Sequence, residues 1–341
     1  MLFLLLVIAL CIICLSGCET LGYYAQATHG QVVLLSRREA IDKVINTAET
    51  DARTRDQLVL VKAIKRFARE ELLLPDNGSF SGYVKLSGKY PVWSVVATPE
   101  FSLTPKNWCY PVVGCADYRG YFKKTAAEDK AEALKRQGYD VTIGGVPAYS
   151  TLGWFKDPVL SSYLFWSEPQ LAGVIFHELA HQKLYIAGDS AFNESFASAV
   201  EREGVRRWLQ QQNKTELLQR YLDFQEHRRI FLIQISKLRD NLNTVYRDTE
   251  KDMQEKRSLK KHYFEEFQTL YNKRFPQGAY HNWVNQKLNN AHLAGMNTYN
   301  QWLERILEKI VSSGSLAEFY REAAALEKLD SRQRAEVLQN W

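Results

Sequence analysis

The sequence lacks several features that would assign it to common protein classes. It contains no Gly-rich phosphate-binding loop, no dinucleotide-binding fingerprint and no zinc knuckle. Its charge is nearly balanced, since 44 basic and 39 acidic residues give a net charge of +5. This weak excess gives no electrostatic footprint for DNA or RNA. We therefore expect no nucleic-acid partner.

Glycine and proline are absent from a long part of the chain, between Val205 and Phe275. Because these two residues interrupt helices most strongly, about seventy consecutive residues can be helical. Their apolar residues form two stripes that an antiparallel helical hairpin would bury, with a turn near Arg247 to Asp252. We interpret the clusters Lys256-Arg257 and Lys260-Lys261 as a solvated face of this hairpin.

The N-terminus has no basic residue before Arg37, yet it has the apolar core of a signal peptide. Residues Leu2 to Gly17 form an apolar run that is short for a membrane span. The run Leu15-Ser16-Gly17-Cys18 resembles a bacterial lipobox, which implies cleavage before Cys18 and lipid on this residue. We therefore expect a lipid-anchored protein of the bacterial cell envelope that faces the periplasm, with the outer membrane favoured over the inner one. An uncleaved N-terminal anchor is the alternative.

Cysteine is scarce, with five residues in the chain. Cys11 and Cys14 belong to the signal segment and Cys18 to the lipobox, which leaves Cys109 and Cys115. In an oxidising periplasm we expect this pair to form a small-loop disulfide. A cysteine metal site is disfavoured, because two thiols have no second pair to complete it.

Two histidines and a glutamate form the motif His177-Glu178-x-x-His181. Residues four apart lie on the same face of a helix, so both imidazoles can reach one metal ion at about 2.0–2.1 Å. Glu178 lies beside the metal rather than on it, where a carboxylate can take a proton from an attacking water. Ser167 to Gln170 reads as a capping box with proline in the first turn, and Gly188 as a stop. The pattern therefore predicts a helix around the motif.

A catalytic zinc site needs a third protein ligand, and Glu194 is placed to supply it. It follows His181 after twelve residues, in the first turn of a second predicted helix that begins after Asp189. Glu201 lies two turns later and is the competing ligand. We expect it either to hold a histidine N–H or to be solvated. In the alternative interpretation the histidines are core residues, and Glu194 is an acid favoured at a helix N-terminus.

The run Asn193-Glu194-Ser195-Phe196-Ala197, after this motif, resembles the gluzincin aminopeptidases, although the interval from His181 is shorter than in the large members of that clan. In that clan the glutamate of an Asn-Glu-x-Phe-Ala run completes the zinc site. The whole chain resembles more closely a bacterial family of small, lipoprotein-like predicted aminopeptidases, which implies a peptide substrate. The resemblance implies one Zn²⁺ bound by His177, His181 and Glu194, with support from Glu201 and Asn193.

Short runs rich in Val, Tyr and Ser between Ser79 and Phe155 predict a small sheet. Tyr139 to Ile143 reads as a strand, and Gly144-Gly145 as a turn into a second strand. By resemblance, this second strand lies beside the zinc helix and binds an extended peptide through its main chain. Its Tyr149, Ser150 and Thr151 are candidates for contacts with substrate. The later Tyr299 is, with Tyr149, a candidate for stabilising the oxyanion.

These features predict an α+β protein that is predominantly helical, with a zincin-like metallopeptidase core, a small sheet and a long helical hairpin. After the signal segment 1–17, residues 19–341 are expected to form a single domain. Its parts are N-terminal helices in 19–75, a small sheet in 79–155, zinc-binding helices in 167–204 and a helical C-terminal part in 205–341.

The expected function is that of a zinc-dependent peptidase, and most specifically an aminopeptidase of the cell envelope. An aminopeptidase must also bind the free α-ammonium group of its substrate, and Glu201, Glu203 and Asp157 are the candidate carboxylates. Two alternatives stay open. One is a zinc endopeptidase of envelope quality control, and the other is a non-enzymatic lipoprotein that binds a partner through its hairpin.

Overall fold

The computed structural model describes residues 22–110, 114–148, 155–294 and 301–341. In this part of the chain it is mostly helical, with two three-stranded sheets and one two-stranded pairing, which confirms the predicted α+β class. The helices are 22–36 (α1), Ile41–Asn46 (α2), Ala52–Glu70 (α3), Lys124–Arg136 (α4), Glu168–Lys183 (α5), Ser190–Gln211 (α6), Thr215–Arg247 (α7), Met253–Arg274 (α8), His281–Val284 (α9), Asn290–Ala294 (α10), Leu303–Ser312 (α11), Leu316–Ala325 (α12) and Ser331–Gln339 (α13). The strands are Glu39–Ala40 (β1), Gly82–Val84 (β2), Val92–Pro99 (β3), Trp108–Tyr110 (β4), Gly114–Ala116 (β5), Arg119–Tyr121 (β6), Tyr139–Val146 (β7) and Val159–Leu160 (β8).

The largest core lies among α3, α5, α6, α11 and α12. Asp51 caps α3 by accepting a hydrogen bond from the backbone N–H of Thr54 at 2.8 Å. Apolar residues at helical spacing, Leu58, Val61 and Ile64, are fully buried on one face of α3. This face packs against α5, the helix that carries the histidine motif.

A small antiparallel sheet has the order β6-β3-β7, with β7 at one edge. The predicted turn at Gly144-Gly145 is wrong, because both glycines lie inside β7 and pair with Ser94 and Trp93. The reason for the glycines is close packing: a Cβ atom on Gly145 would lie 2.0 Å from the ring of Tyr90. The strand predicted from Tyr149 onward lies outside the described residues.

The predicted helical hairpin consists of α7 and α8, and its turn lies between Arg247 and Met253. Two features of this region differ from the sequence-based expectation. First, helix α6 ends at Gln211, because Asn213 adopts a left-handed conformation with φ of 53°. Asparagine tolerates this conformation, so it can end a helix without glycine. The sequence pattern alone had allowed the helix to continue.

The second difference concerns the basic clusters of α8, which are not a simple solvated face. Lys260 binds Asp140 of β7 at 2.5 Å, and Arg257 binds Glu100 at 2.6 Å. Only 13% of the Lys260 side chain is exposed. These ion pairs attach the hairpin to the small sheet.

Strands β4 and β5 pair so that Cys109 lies opposite Cys115, and a disulfide joins them. The remaining sheet, β1-β2-β8, pairs Tyr83 with Val159 in parallel and brings the chain to the start of α5. No helix in the described ranges combines the length and the apolar character needed to cross a membrane. Cys18 lies outside these ranges, so its lipidation stays a prediction.

Replacing Gly145 by alanine should destabilise the fold, because the added methyl group would overlap the ring of Tyr90. We expect the free energy of unfolding, measured with urea, to fall by about 1–3 kcal/mol. Gly88→Ala is the matched control, since nothing lies within 4 Å of its Cβ position. Equal unfolding midpoints for the two variants would contradict the packing role of Gly145.

Candidate metal centre

Helix α5 starts as predicted but ends earlier. The backbone N–H of Ser167 donates to the Gln170 side chain at 3.3 Å, and its hydroxyl donates to the same oxygen at 2.8 Å. The helix ends at Lys183, five residues before Gly188, which was the predicted stop. Gly188 instead has a φ of +82° in the turn that follows. The predicted C-terminal boundary of α5 is wrong because Gly188 belongs to the turn that follows, after the helix has already ended at Lys183.

Helix α6 returns alongside α5, and side chains in the connecting loop fix this reversal. The Asn193 amide accepts a hydrogen bond from the N–H of Ile186 and donates to its carbonyl, both at 2.8 Å. Asp189 caps α6 by accepting from the N–H of Phe192, and buried Arg334 binds its second oxygen at 2.7 Å. Asn193 therefore supports the ligand set through the loop backbone.

The two helices approach closely because small residues lie between them. A Cβ atom on Gly204 of α6 would lie 2.8 Å from the ring of Phe176 of α5. At the end of the pair away from the connecting loop, Glu168 of α5 binds Lys214, which follows α6, at 2.6 Å. Close packing with fixed ends holds the two helices in one register.

This register brings His177, His181 and Glu194 together. The Nε2 atoms of the two histidines are 3.1 Å apart. In the Glu194 carboxylate, Oε2 lies 3.4 Å from His177 Nε2 and Oε1 lies 3.6 Å from His181 Nε2. Ligand atoms about 2.0–2.1 Å from a tetrahedral ion lie about 3.3 Å apart, so these separations suit a single metal ion. The set is one that can hold a metal ion.

Glu201 contacts the opposite side of the His177 ring. Its Oε2 atom lies 3.1 Å from His177 Nδ1, which orients the ring so that Nε2 faces Glu194. Gly173 makes room for this contact, because a Cβ atom there would lie 3.1 Å from Glu201 Oε1. Glu201 thus contacts a histidine and lies outside the three-ligand set.

The electrostatics of the cluster favour a bound cation. Burial opposes protonation of His177, but hydrogen bonds to Glu194 and Glu201 outweigh it and raise its pKa to about 10. Burial and the charge on His177 lower the pKa of His181 to about 4. Burial also opposes ionisation of Glu194 and Glu201, yet the contact with His177 lowers the pKa of both carboxyl groups. The two carboxylates therefore favour the protonated form of His177 when no metal is bound.

Glu178 is partly buried and lies outside the three-ligand set. Its charge raises the pKa of His177 and of Tyr118, so the carboxylate lies within electrostatic reach of both side chains. Its role as a general base stays a prediction.

Two tyrosines near the ligands were not predicted. The ring of Tyr185 has its centroid 6.3 Å from that of His181. The sequence held one signal for Tyr185, because it follows His181 by four residues, which is the spacing of neighbours on one helical face. Tyr118 lies between β5 and β6, and burial, followed by the charges of Tyr23, Glu194 and Glu178, raises its pKa. No local pattern connects Tyr118 to the motif, which is 59 positions away in the chain.

Among the residues that the structure describes, no other predicted residue belongs to the three-ligand set. Glu203 is held by Arg206 and Arg207, at 2.7 and 2.6 Å, and Asp157 is only 2% exposed. Glu203 is thus paired with two arginines, and the Asp157 side chain is closed to solvent. The predicted substrate and oxyanion residues, Tyr149, Ser150, Thr151 and Tyr299, lie outside the described residues.

Comparison with known protein families gives one match. Residues 22–338 match a protein-family model, and this range includes both helices of the metal centre. No curated protein and no solved structure matches the chain. Because the match covers most of the 341 residues, the chain belongs to the family described as "Putative aminopeptidase".

Proposed function

We propose that this protein is a zinc-dependent aminopeptidase with a zincin-like core, which hydrolyses peptides in the bacterial cell envelope. The observation that carries the proposal is the convergence of His177, His181 and Glu194, with ligand atoms 3.1 to 3.6 Å apart. Membership of the family supports peptide hydrolysis as the reaction class.

The three ligands would hold one Zn²⁺ and leave one coordination position open. A zinc ion in this position supplies Lewis-acid activation of water and of the peptide carbonyl. Glu201 maintains the orientation of His177 through the 3.1 Å contact with Nδ1. This contact also selects the tautomer in which Nε2 is free of hydrogen and faces the ion position.

Glu178 acts as the general base. Its carboxylate takes a proton from the attacking water, and the protonated acid then donates that proton to the amine that leaves when the peptide C–N bond breaks. One carboxyl group serves both steps because the proton returns to the substrate within the same cycle. Donors that steady the oxyanion are worth about 2.7–4 kcal/mol each, and Tyr149 or Tyr299 is proposed for this role.

The proposed location rests on the sequence and on the disulfide. The lipobox-like run that ends at Cys18 would place a lipid anchor at the start of the mature chain. The disulfide between Cys109 and Cys115 supports an oxidising compartment. We propose that the anchored protein faces the periplasm, with the outer membrane favoured.

Replacing Glu178 by glutamine should abolish hydrolysis while zinc stays bound. With the wild-type protein, we expect mass spectrometry of a peptide pool, in which each peptide is present free and N-acetylated, to show products shortened only from free N-termini. The variant should lose at least about 100-fold in rate, because the general base is gone. Glu265→Gln, which changes an exposed acid of α8, is the matched control.

Other outcomes of this experiment separate the alternatives. Internal cuts that are insensitive to acetylation would assign an endopeptidase. The absence of any cleavage by protein that holds one zinc ion would contradict a peptidase and indicate a non-enzymatic role through the hairpin.

Replacing Gly173 by alanine should weaken zinc binding without unfolding the protein. The methyl group would displace the Glu201 carboxylate from His177, while alanine itself favours the helix. We expect zinc affinity, measured by chelator competition, to fall by up to about tenfold, with an unchanged circular dichroism spectrum. In a Glu201→Gln background the same change should have little further effect. Wild-type affinity in Gly173→Ala would contradict the role of Glu201.

Zinc affinity should rise with pH. Since the pKa of His177 is raised to about 10, zinc must displace its proton at every pH below that value. His181, with a pKa of about 4, does not compete above pH 5. We expect about a tenfold gain in affinity per pH unit between pH 6 and 8, which is the release of one proton. A pH-independent affinity, measured with a chelator of known protonation, would contradict this assignment.

A further inference from the structure

A cleft of about 520 Å³ lies on the side of α3 that faces away from the metal centre. The face of α3 that contains Leu58, Val61 and Ile64 packs against α5, which carries the histidines. The cleft is formed instead by α2, by the opposite face of α3 and by the segment that leads into β2. It is therefore a site separate from the metal centre.

The basic residues of the cleft share one face of α3. Lys62, Arg66 and Arg69 follow one another at intervals of four and three residues, and Lys65 lies beside them. Residues at these intervals are neighbours on a helix, with Cβ atoms about 5–6 Å apart. Four cations thus line one cleft within two turns of helix.

The protein neutralises only part of this positive charge. Asp42 of α2 pairs with Lys62. The Asp76 carboxylate lies 3.2 Å from Arg69 Nη1 and 3.9 Å from Lys65 Nζ. Two cations therefore already face the same anionic group. The four cations and two carboxylates of the lining leave a net charge of +2.

Arg66 and Lys65 offer an anion two different donors. Arg66 is exposed, and within the described residues its guanidinium forms no ion pair or hydrogen bond. Lys65 is held in place, because only 16% of its side chain is exposed and its Nζ donates to the Ser81 hydroxyl at 2.5 Å. Burial lowers the pKa of Lys65, and Asp76 opposes this effect. A further anion in the cleft would favour its charged form in the same way.

The lining of the cleft also includes apolar side chains. Ile41 and Ile45 come from α2, Val59 from α3, and Phe80 from the segment before β2. Val59 is 51% exposed, so apolar surface is open to a ligand. The volume of the cleft lies in the range of sites that hold a small organic molecule. The shape and composition thus suit an anion that carries an apolar group.

We propose that this cleft binds a phosphate monoester with an apolar substituent, and that Lys65, Arg66 and Arg69 donate to the phosphate. A phosphate monoester has a charge close to −2 near neutral pH, which matches the net charge of the lining. Guanidinium and ammonium groups are the side chains that bind phosphate most strongly. The substituent packs against Ile45 and Phe80. The headgroup of a lipid and a soluble alkyl phosphate share this chemistry.

Calorimetric titration of the full chain with hexyl phosphate and with inorganic phosphate, at constant ionic strength, tests the site. We expect hexyl phosphate to bind at least about tenfold more tightly, because its alkyl chain buries apolar surface. Arg66→Gln should weaken the binding of both about tenfold, through the loss of a charge-assisted hydrogen bond. Because Arg66 is exposed, this substitution leaves the core side of α3 unchanged.

Lys43→Gln is the matched control, since it removes the same charge from α2 outside the cleft. Its affinity for both phosphates should equal that of the wild type. An equal loss in Lys43→Gln and Arg66→Gln would show a general electrostatic field and overturn the proposal. Unchanged binding in Arg66→Gln would place the phosphate elsewhere, for example on a metal ion, and would also overturn it. So would the absence of saturable binding.

Vesicles distinguish the two sources of the phosphate. The full chain is reconstituted into phosphatidylcholine vesicles that contain either phosphatidic acid, a monoester, or phosphatidylglycerol, a diester, at equal surface charge. Displacement of hexyl phosphate by phosphatidic acid alone would support the site and assign a lipid headgroup to it. Equal binding of hexyl phosphate in both kinds of vesicle, with the loss in Arg66→Gln retained, would support a soluble phosphate ester.

Discussion

The close packing of α5 against α6 is the constraint on which the rest of the centre depends. Glycines at the contact, Gly173 and Gly204, let the two backbones approach until side chains from both helices share one small volume. A larger residue at either position would meet Glu201 or Phe176. The helices therefore cannot move apart without separating Glu194 from the histidines, and the metal centre is a property of the pair.

This packing concentrates charge in a place where burial opposes it. Two imidazoles and the carboxylates of Glu194 and Glu201 lie together beside an apolar core, and burial alone would favour the neutral form of each. Without a metal, one proton on His177 supplies the positive charge that the carboxylates need. A divalent ion at the same place supplies more charge with a fixed geometry, so its binding would stabilise the folded state.

Local sequence patterns predicted a helix or strand correctly where the residues of that element determine its structure. They failed where packing against a distant part of the chain determines it. Gly144 and Gly145 have the composition of a turn, but both lie inside a strand, where the ring of Tyr90 packs on Gly145. Asn213 ends α6 although no glycine or proline marks the site. Lys260 looks like a surface residue until Asp140, 120 positions earlier, pairs with it. In each case the partner is distant in the sequence.

The sequence by itself determined which side chains can form the candidate centre. A spacing of four residues places His177 and His181 on one helical face, because this follows from the period of a helix, and Glu194 lies close to the start of the next helix. Only the tertiary structure decided which other groups meet them. Glu201 reaches His177 across a gap that a glycine leaves open. Contacts of this kind depend on long-range packing, which leaves no periodic pattern in the chain.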